Sequence, residues 1–352
     1  MTLLWAGFFW GCAFGAAARL GRFCLLRGLR QSLGQDNSTP RGSAPALQAF
    51  ALALAIAVLA SQGLHWAGLV DLGNAQIVRT SFSIPGVLIG GALFGIGMVL
   101  ANSCGARALV LLAGGNLRAL VTVVFLGLAA QASLTGVLVP VRQWFQALAP
   151  TTVENATLPQ VLQAAQWTPL ASFALLALLP ALLLAAYALW QPALRRSPAQ
   201  WISAIAIGAL VAFGWWLTAT VDVDPFDPEK LTSLSFIAPI AEGLLYLQVA
   251  VGRAFSLGPA MVLGVLAGGL VMALLTRTAQ WEGFHSPAHL AKTAVGGALM
   301  GFGGVLAVGC SIGQGLTGLS TLAIASLPAV AGIVGGTLIA VKLFPSSSQA
   351  AA

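Results

Sequence analysis

The sequence predicts an all-α membrane protein that crosses the bilayer about nine times and consists of two related halves. Three observations predict it. Only 7% of the 352 residues are charged while 58% are hydrophobic, against about 25% charged in an ordinary soluble domain, so the charges are too few to cover a water-facing surface. Apolar runs long enough to span a hydrocarbon core, about 17–25 residues, recur along the chain. One phrase also occurs twice. GGALFGIGMVLANSC at 90–104 and GGALMGFGGVLAVGC at 296–310 match at ten of fifteen positions, ungapped, at an offset of 206, and the matches include one of only four cysteines. Chance pairing of Gly, Ala and Leu in apolar helices does not also align a residue so rare.

The remaining composition narrows the class. Forty-one glycines and seventeen prolines are tolerated in membrane helices whose neighbours satisfy the freed backbone, and they point to close packing and broken helices. The mean hydropathy of +0.91 removes nucleic acid as the reading of the net charge of +7; lysines and arginines on cytoplasmic loops account for it, with a share left to attract an anion. The first cation is Arg19, so no basic segment precedes the first apolar run and no cleavable signal is expected. No CxxC pair occurs, which argues against zinc and against a dithiol redox motif. His65, His285 and His289 form no ligand set with the cysteines, and neither a metal nor a cofactor is expected.

Taken in order, residues 3–20 form the first span, closed by Arg19, Arg22, Arg27, Arg30 and Arg41. That cluster places the first loop in the cytoplasm and the N-terminus outside. Within this loop RLGRFCLLRGLR sets Cys24 among arginines. Residues 46–64 return. The stretch from Pro85 to Asn116 reads as two short helices meeting at Asn102, Ser103, Cys104 and Gly105. Spans follow at about 117–139, 168–190 and 200–220, with Arg195 and Arg196 at a cytoplasmic turn. The only acidic cluster, Asp222, Asp224, Asp227 and Glu229, is expected in an external loop. Residues 234–251 contain Pro239 and Glu242 and are read as entering the membrane without crossing. Residues 256–276 span, the second repeat begins near 293, and a last span near 327–343 ends at a cytoplasmic Lys342. The halves are therefore 1–190 and 191–345, followed by a disordered tail at 346–352. Counting each repeat as one crossing gives the total of about nine and places the termini on opposite sides. A re-entrant 234–251 makes the repeats inverted; a parallel arrangement is the alternative.

The repeats carry the candidate chemistry. Gly91/Gly95 and Gly297/Gly301 are small-xxx-small pairs that let helices approach closely, and packing alone explains them. Their position beside thiol-bearing breaks adds a second reading, since broken helices at the midplane aim N–H dipoles into a cavity and hold anions. Candidates for lining or breaking are Gly95, Gly97, Gly105, Gly301, Gly303, Gly309, Ser311, Gly313, Gln314 and Gly315. Neither a dinucleotide fingerprint nor GxxxxGK[ST] is present. A lone buried cysteine is usually a small hydrophobe, but Cys104 and Cys310 occupy equivalent breaks. A thiol offers a weak donor and a polarizable sulfur and so suits a soft, sulfur-bearing ligand. A disulfide between the halves is the rival use. Cys24, flanked by Arg22 and Arg27, has no repeat partner, because position 230 is Lys230; Cys12, inside the first span, reads as packing. The polar run Ser311, Gln314, Thr317 and Ser320 either bonds neighbouring backbone or lines a cavity, and Glu242 is a functional suspect as an intramembrane carboxylate.

The stretch GGALMGFGGVLAVGCSIGQGLTGLSTLAIASL closely resembles the second-half signature of the YeeE/YedE family of sulfur-compound transporters. GGALFGIGMVLANSCGARALVLLAGGNLRALV resembles its first-half partner, and RLGRFCLLRGLR the arginine-flanked cysteine near that family's N-terminus. The resemblance implies a bacterial inner-membrane permease, not an enzyme, importing thiosulfate or a similar small sulfur anion. It implies a path marked by Cys24, Cys104 and Cys310, along which the anion passes by S–H···S contacts, and a small cytoplasmic sulfur-carrier protein as partner. The competing class is a membrane thiol–disulfide oxidoreductase using Cys104 and Cys310.

Overall fold

The computed structural model describes residues 3–36, 40, 42–190, 192–221, 230–252, 254–284 and 286–344. Arg41, the acidic cluster at 222–229, His285 and the tail at 346–352 lie outside the described residues. The fold is almost wholly helical. The helices are α1 (Leu3–Gly21), α2 (Leu25–Ser32), α3 (Pro45–Trp66), α4 (Ile84–Leu100), α5 (Gly105–Ala113), α6 (Leu117–Thr135), α7 (Val139–Gln146), α8 (Leu158–Ala164), α9 (Pro169–Phe173), α10 (Leu179–Trp190), α11 (Pro192–Arg195), α12 (Pro198–Thr220), α13 (Ile237–Val249), α14 (Leu257–Leu275), α15 (Pro287–Leu306) and α16 (Ser326–Leu343). A π-helical turn joins α9 to α10, and together they form one apolar span, Pro169–Trp190.

Eight helical segments among the described residues are long and apolar enough to cross a bilayer, and α13 belongs to a shorter apolar one. The expected count of nine therefore turns on α15, a 20-residue helix whose first turns carry His289 and Lys292. Both predicted breaks are present, between α4 and α5 and after α15.

Two features depart from the sequence reading. The arginine-rich stretch after α1, expected as a cytoplasmic loop, is the helix α2, because Leu25, Leu26 and Leu29 share one buried face. A two-stranded antiparallel sheet also occurs, β1 (Ser81–Ser83) against β2 (Pro150–Thr152), tying the start of α4 to the loop after α7.

The core is a set of glycine-lined helix contacts. In lipid no hydrophobic driving force pulls helices together, so small residues that bring backbones within van der Waals range supply the attraction. Helices α4 and α15 cross antiparallel: a Cβ on Gly97 would lie 2.6 Å from the Gly296 carbonyl oxygen, and one on Gly303 would lie 2.6 Å from that of Gly90. These contacts are reciprocal at the 206-residue offset. Around them α4 packs on α16, α15 on α6, α1 on α14 and α3 on α12.

The two helix ends at the breaks are also built alike. Ala101 and Asn102 N–H groups donate to the carbonyls of Gly97 and Val99; Ala307 and Val308 donate to those of Gly303 and Val305. Asn102 and Val308 are both left-handed, with φ of 56° and 59°. Asparagine tolerates that conformation, whereas for valine it costs roughly 1–2 kcal/mol and is held by the surrounding helices.

Replacing Gly97 or Gly296 by alanine is expected to force α4 and α15 apart and destabilise the protein by about 1–3 kcal/mol. Gly335→Ala, where nothing lies within 4 Å of the added methyl, is expected to leave stability unchanged. Thermal unfolding of the detergent-solubilised variants measures the difference.

Candidate functional site, a thiol-bearing centre between two cavities

Cys24 is positioned by a reversal of the chain. α1 ends at Gly21, Arg22 takes a left-handed turn with φ of 50°, and Cys24 becomes the extended N-cap of α2. Phe23 stacks on Phe50 of α3 with ring centroids 5.5 Å apart, so the segment folds inward and leaves Cys24 only 4% exposed. The polar edge of α2 is anchored by Arg27, 3.5 Å from Asp36, and by Arg30, which donates to the side-chain oxygen of Asn102 at the first break.

Cys104 is the N-cap of α5 and is buried. The far end of α5 is held by Arg19, whose guanidinium donates to the Val110 carbonyl at 3.3 Å and to the Thr278 carbonyl at 2.7 Å. Gly114 leaves room for that guanidinium. The side chains of Cys24 and Cys104 adjoin, and that of Arg107 lies beside Cys24. Ser311 comes in from the second repeat, and its hydroxyl faces Cys104 without closing a hydrogen bond to any protein atom. Together with Arg19, Arg22 and residues of the loop at 276–282 these groups line a cavity of about 540 Å³.

Cys310 is the most enclosed of the three, at 1% exposure. It precedes a π-helical turn at Gly313–Gly318, and the Gly313 N–H donates to its sulfur at 3.2 Å. A second cavity of about 470 Å³ includes Val308 and Gly309 in its wall, together with Arg79, Arg142, Lys230 and Glu242. Ser311 and Ile312 belong instead to the first cavity. Cys310 therefore stands at the point where the chain passes from one cavity wall to the other.

The two cavities reach opposite ends of α14. Ser256 and Leu257, at the start of α14, line the second, and Thr276, just past its end, lines the first. A helix of 19 residues separates these ends by about 28 Å at 1.5 Å per residue.

The candidate residues from the sequence sort into distinct places. Gly95, Gly97, Gly301 and Gly303 lie inside helices against the backbones of neighbouring helices. Gly105 opens α5 and faces Leu126 and Ile240, and Gly315 faces Phe50. Gly309 and Gly313 flank Cys310. Of the polar run, Gln314 donates to the Ala307 carbonyl at 2.7 Å, Thr317 to that of Leu234 at 2.7 Å and Ser320 to that of Thr317 at 2.7 Å, which leaves the Ser311 hydroxyl open. Glu242 lines the second cavity and accepts a long hydrogen bond from Ser256 at 3.4 Å. Cys12 sits where α1 meets Gly264 and Gly268 of α14. All four cysteines are free, and the thiol facing Cys104 is that of Cys24. Sequence reading passed over Arg107, although an arginine three residues past Cys104 in an apolar run is the kind of intramembrane charge that marks a site. Arg79 and Arg142 were missed because only the fold unites them.

Comparison with known proteins agrees with this architecture. The chain is 27% identical to the thiosulfate transporter TsuA of Spirochaeta thermophila, over 97% of this chain and 99% of that protein. It is 25% identical to the thiosulfate transporter TsuA of Escherichia coli, over 90% of this chain and 87% of that one. A family model described as sulphur transport matches residues 20–339. With that match running through both repeats and all three buried thiols, the chain belongs to the sulphur transport (YeeE/YedE) family of membrane transporters.

Proposed function

We propose that the protein imports thiosulfate, or a similar small anion with a terminal sulfur, through the inner membrane of a bacterium. In this reading the anion enters the cavity of Arg79 and Arg142, passes Cys310, reaches Cys104 and Cys24, and leaves through the cavity of Arg19 and Arg107. The observation that carries it is the position of Cys310 between two cationic cavities at opposite ends of α14. The names of the two relatives support thiosulfate as the substrate.

The chemistry of the centre fits such a load. A dianion cannot enter a low-dielectric path without large desolvation cost, and cationic mouths concentrate it at each end. Near the centre the protein offers neutral donors: the thiols and the Ser311 hydroxyl. Thiols match the soft terminal sulfur that sulfate lacks. Their hydrogen bonds are weak, which lets the anion leave as readily as it enters. No bond in the substrate is broken. Arg19, Arg22, Arg27, Arg30, Arg195, Arg196 and Lys342 support a cytoplasmic side at the Arg107 cavity, with the N-terminus outside. The antiparallel, reciprocal crossing of α4 and α15 supports inverted halves, divided at about residue 190. The cytoplasmic mouth is where a small sulfur-carrier protein would collect the product.

Uptake of labelled thiosulfate by proteoliposomes tests the reading: accumulation blocked by unlabelled thiosulfate but resistant to sulfate is expected. No uptake by well-folded protein contradicts it. Cys24→Ala, Cys104→Ala and Cys310→Ala are each expected to lower uptake more than about tenfold, the effect of losing roughly one charge-assisted hydrogen bond, with membrane insertion unchanged. Cys12→Ala is expected to transport like wild type; full activity in the three path variants would remove the thiols from the mechanism. Arg142→Gln is expected to raise the half-saturating concentration from the outer face. That increase should shrink as salt is raised, because salt screens steering by the mouth. A salt-independent effect contradicts a steering role.

A further inference from the structure

The two thiol-bearing breaks differ in the residues that follow the cysteine. Three residues past Cys104 stands Arg107, and three residues past Cys310 stands Gly313, although the preceding helices match in sequence and end with the same hydrogen bonds. At the second break the Gly313 N–H approaches the Cys310 sulfur directly, at 3.2 Å. At the first, the Arg107 backbone stands in the same relation to Cys104, and its guanidinium is additional: it lies beside Cys24 and lines the cavity with Cys104 and Ser311.

Arg107 and Ser311 also hold unspent hydrogen-bonding capacity. The Arg107 Nε–H is closed off from solvent and has no partner, and neither has the Ser311 hydroxyl, on a side chain 1% exposed. Leaving such donors unpaired costs about 1–3 kcal/mol each, more when charged, so a site that keeps them gains by binding a hard acceptor. Lining the same cavity are the neighbouring cysteines Cys24 and Cys104, a soft surface. Hard donors and soft donors side by side match an ion with oxygens at one end and sulfur at the other.

We propose that Arg107 is a specificity-determining residue: with Ser311 it holds the sulfonate oxygens of the transported anion while Cys24 and Cys104 hold the terminal sulfur. This inference rests on the thiol path proposed above. It makes the two stations unequal. The Cys24–Cys104 station grips both ends of the ion, whereas the Cys310 station has thiol and backbone alone. The anion is therefore held more tightly on the side of the Arg107 cavity, and the half-saturating concentration differs between the two faces of the membrane.

The test is thiosulfate flux measured separately from each face, in vesicles of defined orientation, for wild type, Arg107→Gln, Arg107→Lys, Cys24→Ala and the exposed control Arg195→Gln. In wild type and the Arg195 control, half-saturation is expected at lower concentration from the face of the Arg107 cavity. Arg107→Gln should raise it there by about tenfold or more, leaving the opposite face within about twofold. Arg107→Lys keeps the charge without the fork and should fall between the two, on the same face only; this variant answers the question if the glutamine variant does not insert. Equal half-saturation from both faces in wild type, or an Arg107→Gln or Arg107→Lys effect that is absent or equal on both faces, overturns the proposal. Cys24→Ala separates the two ideas. Transport lost there with Arg107→Gln behaving as wild type removes Arg107 alone. Full transport in Cys24→Ala with a one-sided Arg107→Gln loss removes the sulfur contacts and leaves the oxyanion site.

Discussion

A helix broken inside a membrane protein exposes backbone carbonyls and amides that water cannot satisfy, and every one left unpaired costs several kcal/mol. The centre of this protein contains two such breaks, and much of the surrounding sequence answers them. Gln314 donates to the carbonyls of Ala307 and Val308, and Thr317 to that of Leu234. Gln62 of α3 donates to the Ser320 carbonyl at 2.8 Å, and Trp215 of α12 to the Ser320 hydroxyl at 3.1 Å. Helices distant in sequence thus close the second break, which permits a polar interruption of regular α-helix at the core. The glycines of α4 and α15 hold the two helices that lead into the breaks within backbone contact.

Once the breaks are satisfied, what remains unsatisfied carries meaning. The Ser311 hydroxyl and Arg107 Nε are unpaired on residues that line the first cavity, and Arg142 Nε on a residue that lines the second. All three can donate, which suits an anion. On the proposed path, cations at each mouth gather the ion and neutral donors at the constriction pass it on by weak contacts.

Much of this was legible in the sequence. The spans, both breaks and the burial of Cys104 and Cys310 follow from apolar run length, interruption by Asn, Ser and Gly, and the 206-residue repeat. Other features were not legible, for physical reasons. Leu25, Leu26 and Leu29 bury α2 only because Gly28 lets it lie on Leu47 of α3, a contact between segments joined by an unpatterned loop. The meeting of Cys24 with Cys104, and the gathering of Arg79, Arg142 and Lys230 around one cavity, are long-range products of helix packing. The glycine pattern identified close helix contacts correctly, yet the same residues read equally well as cavity lining. Only the identity of the neighbouring atoms separates Gly95 from Gly309.

The central claim is that the thiols act as hydrogen-bonding stations and do not become covalently bonded to the ion in transit. The most direct measurement follows thiosulfate labelled on its terminal sulfur into proteoliposomes, with the protein's intact mass recorded during turnover. Intact labelled thiosulfate in the lumen, and a protein mass unchanged throughout, is the predicted result. Sulfite released with a sulfur atom added to the protein would contradict the account and make one of the buried cysteines a nucleophile.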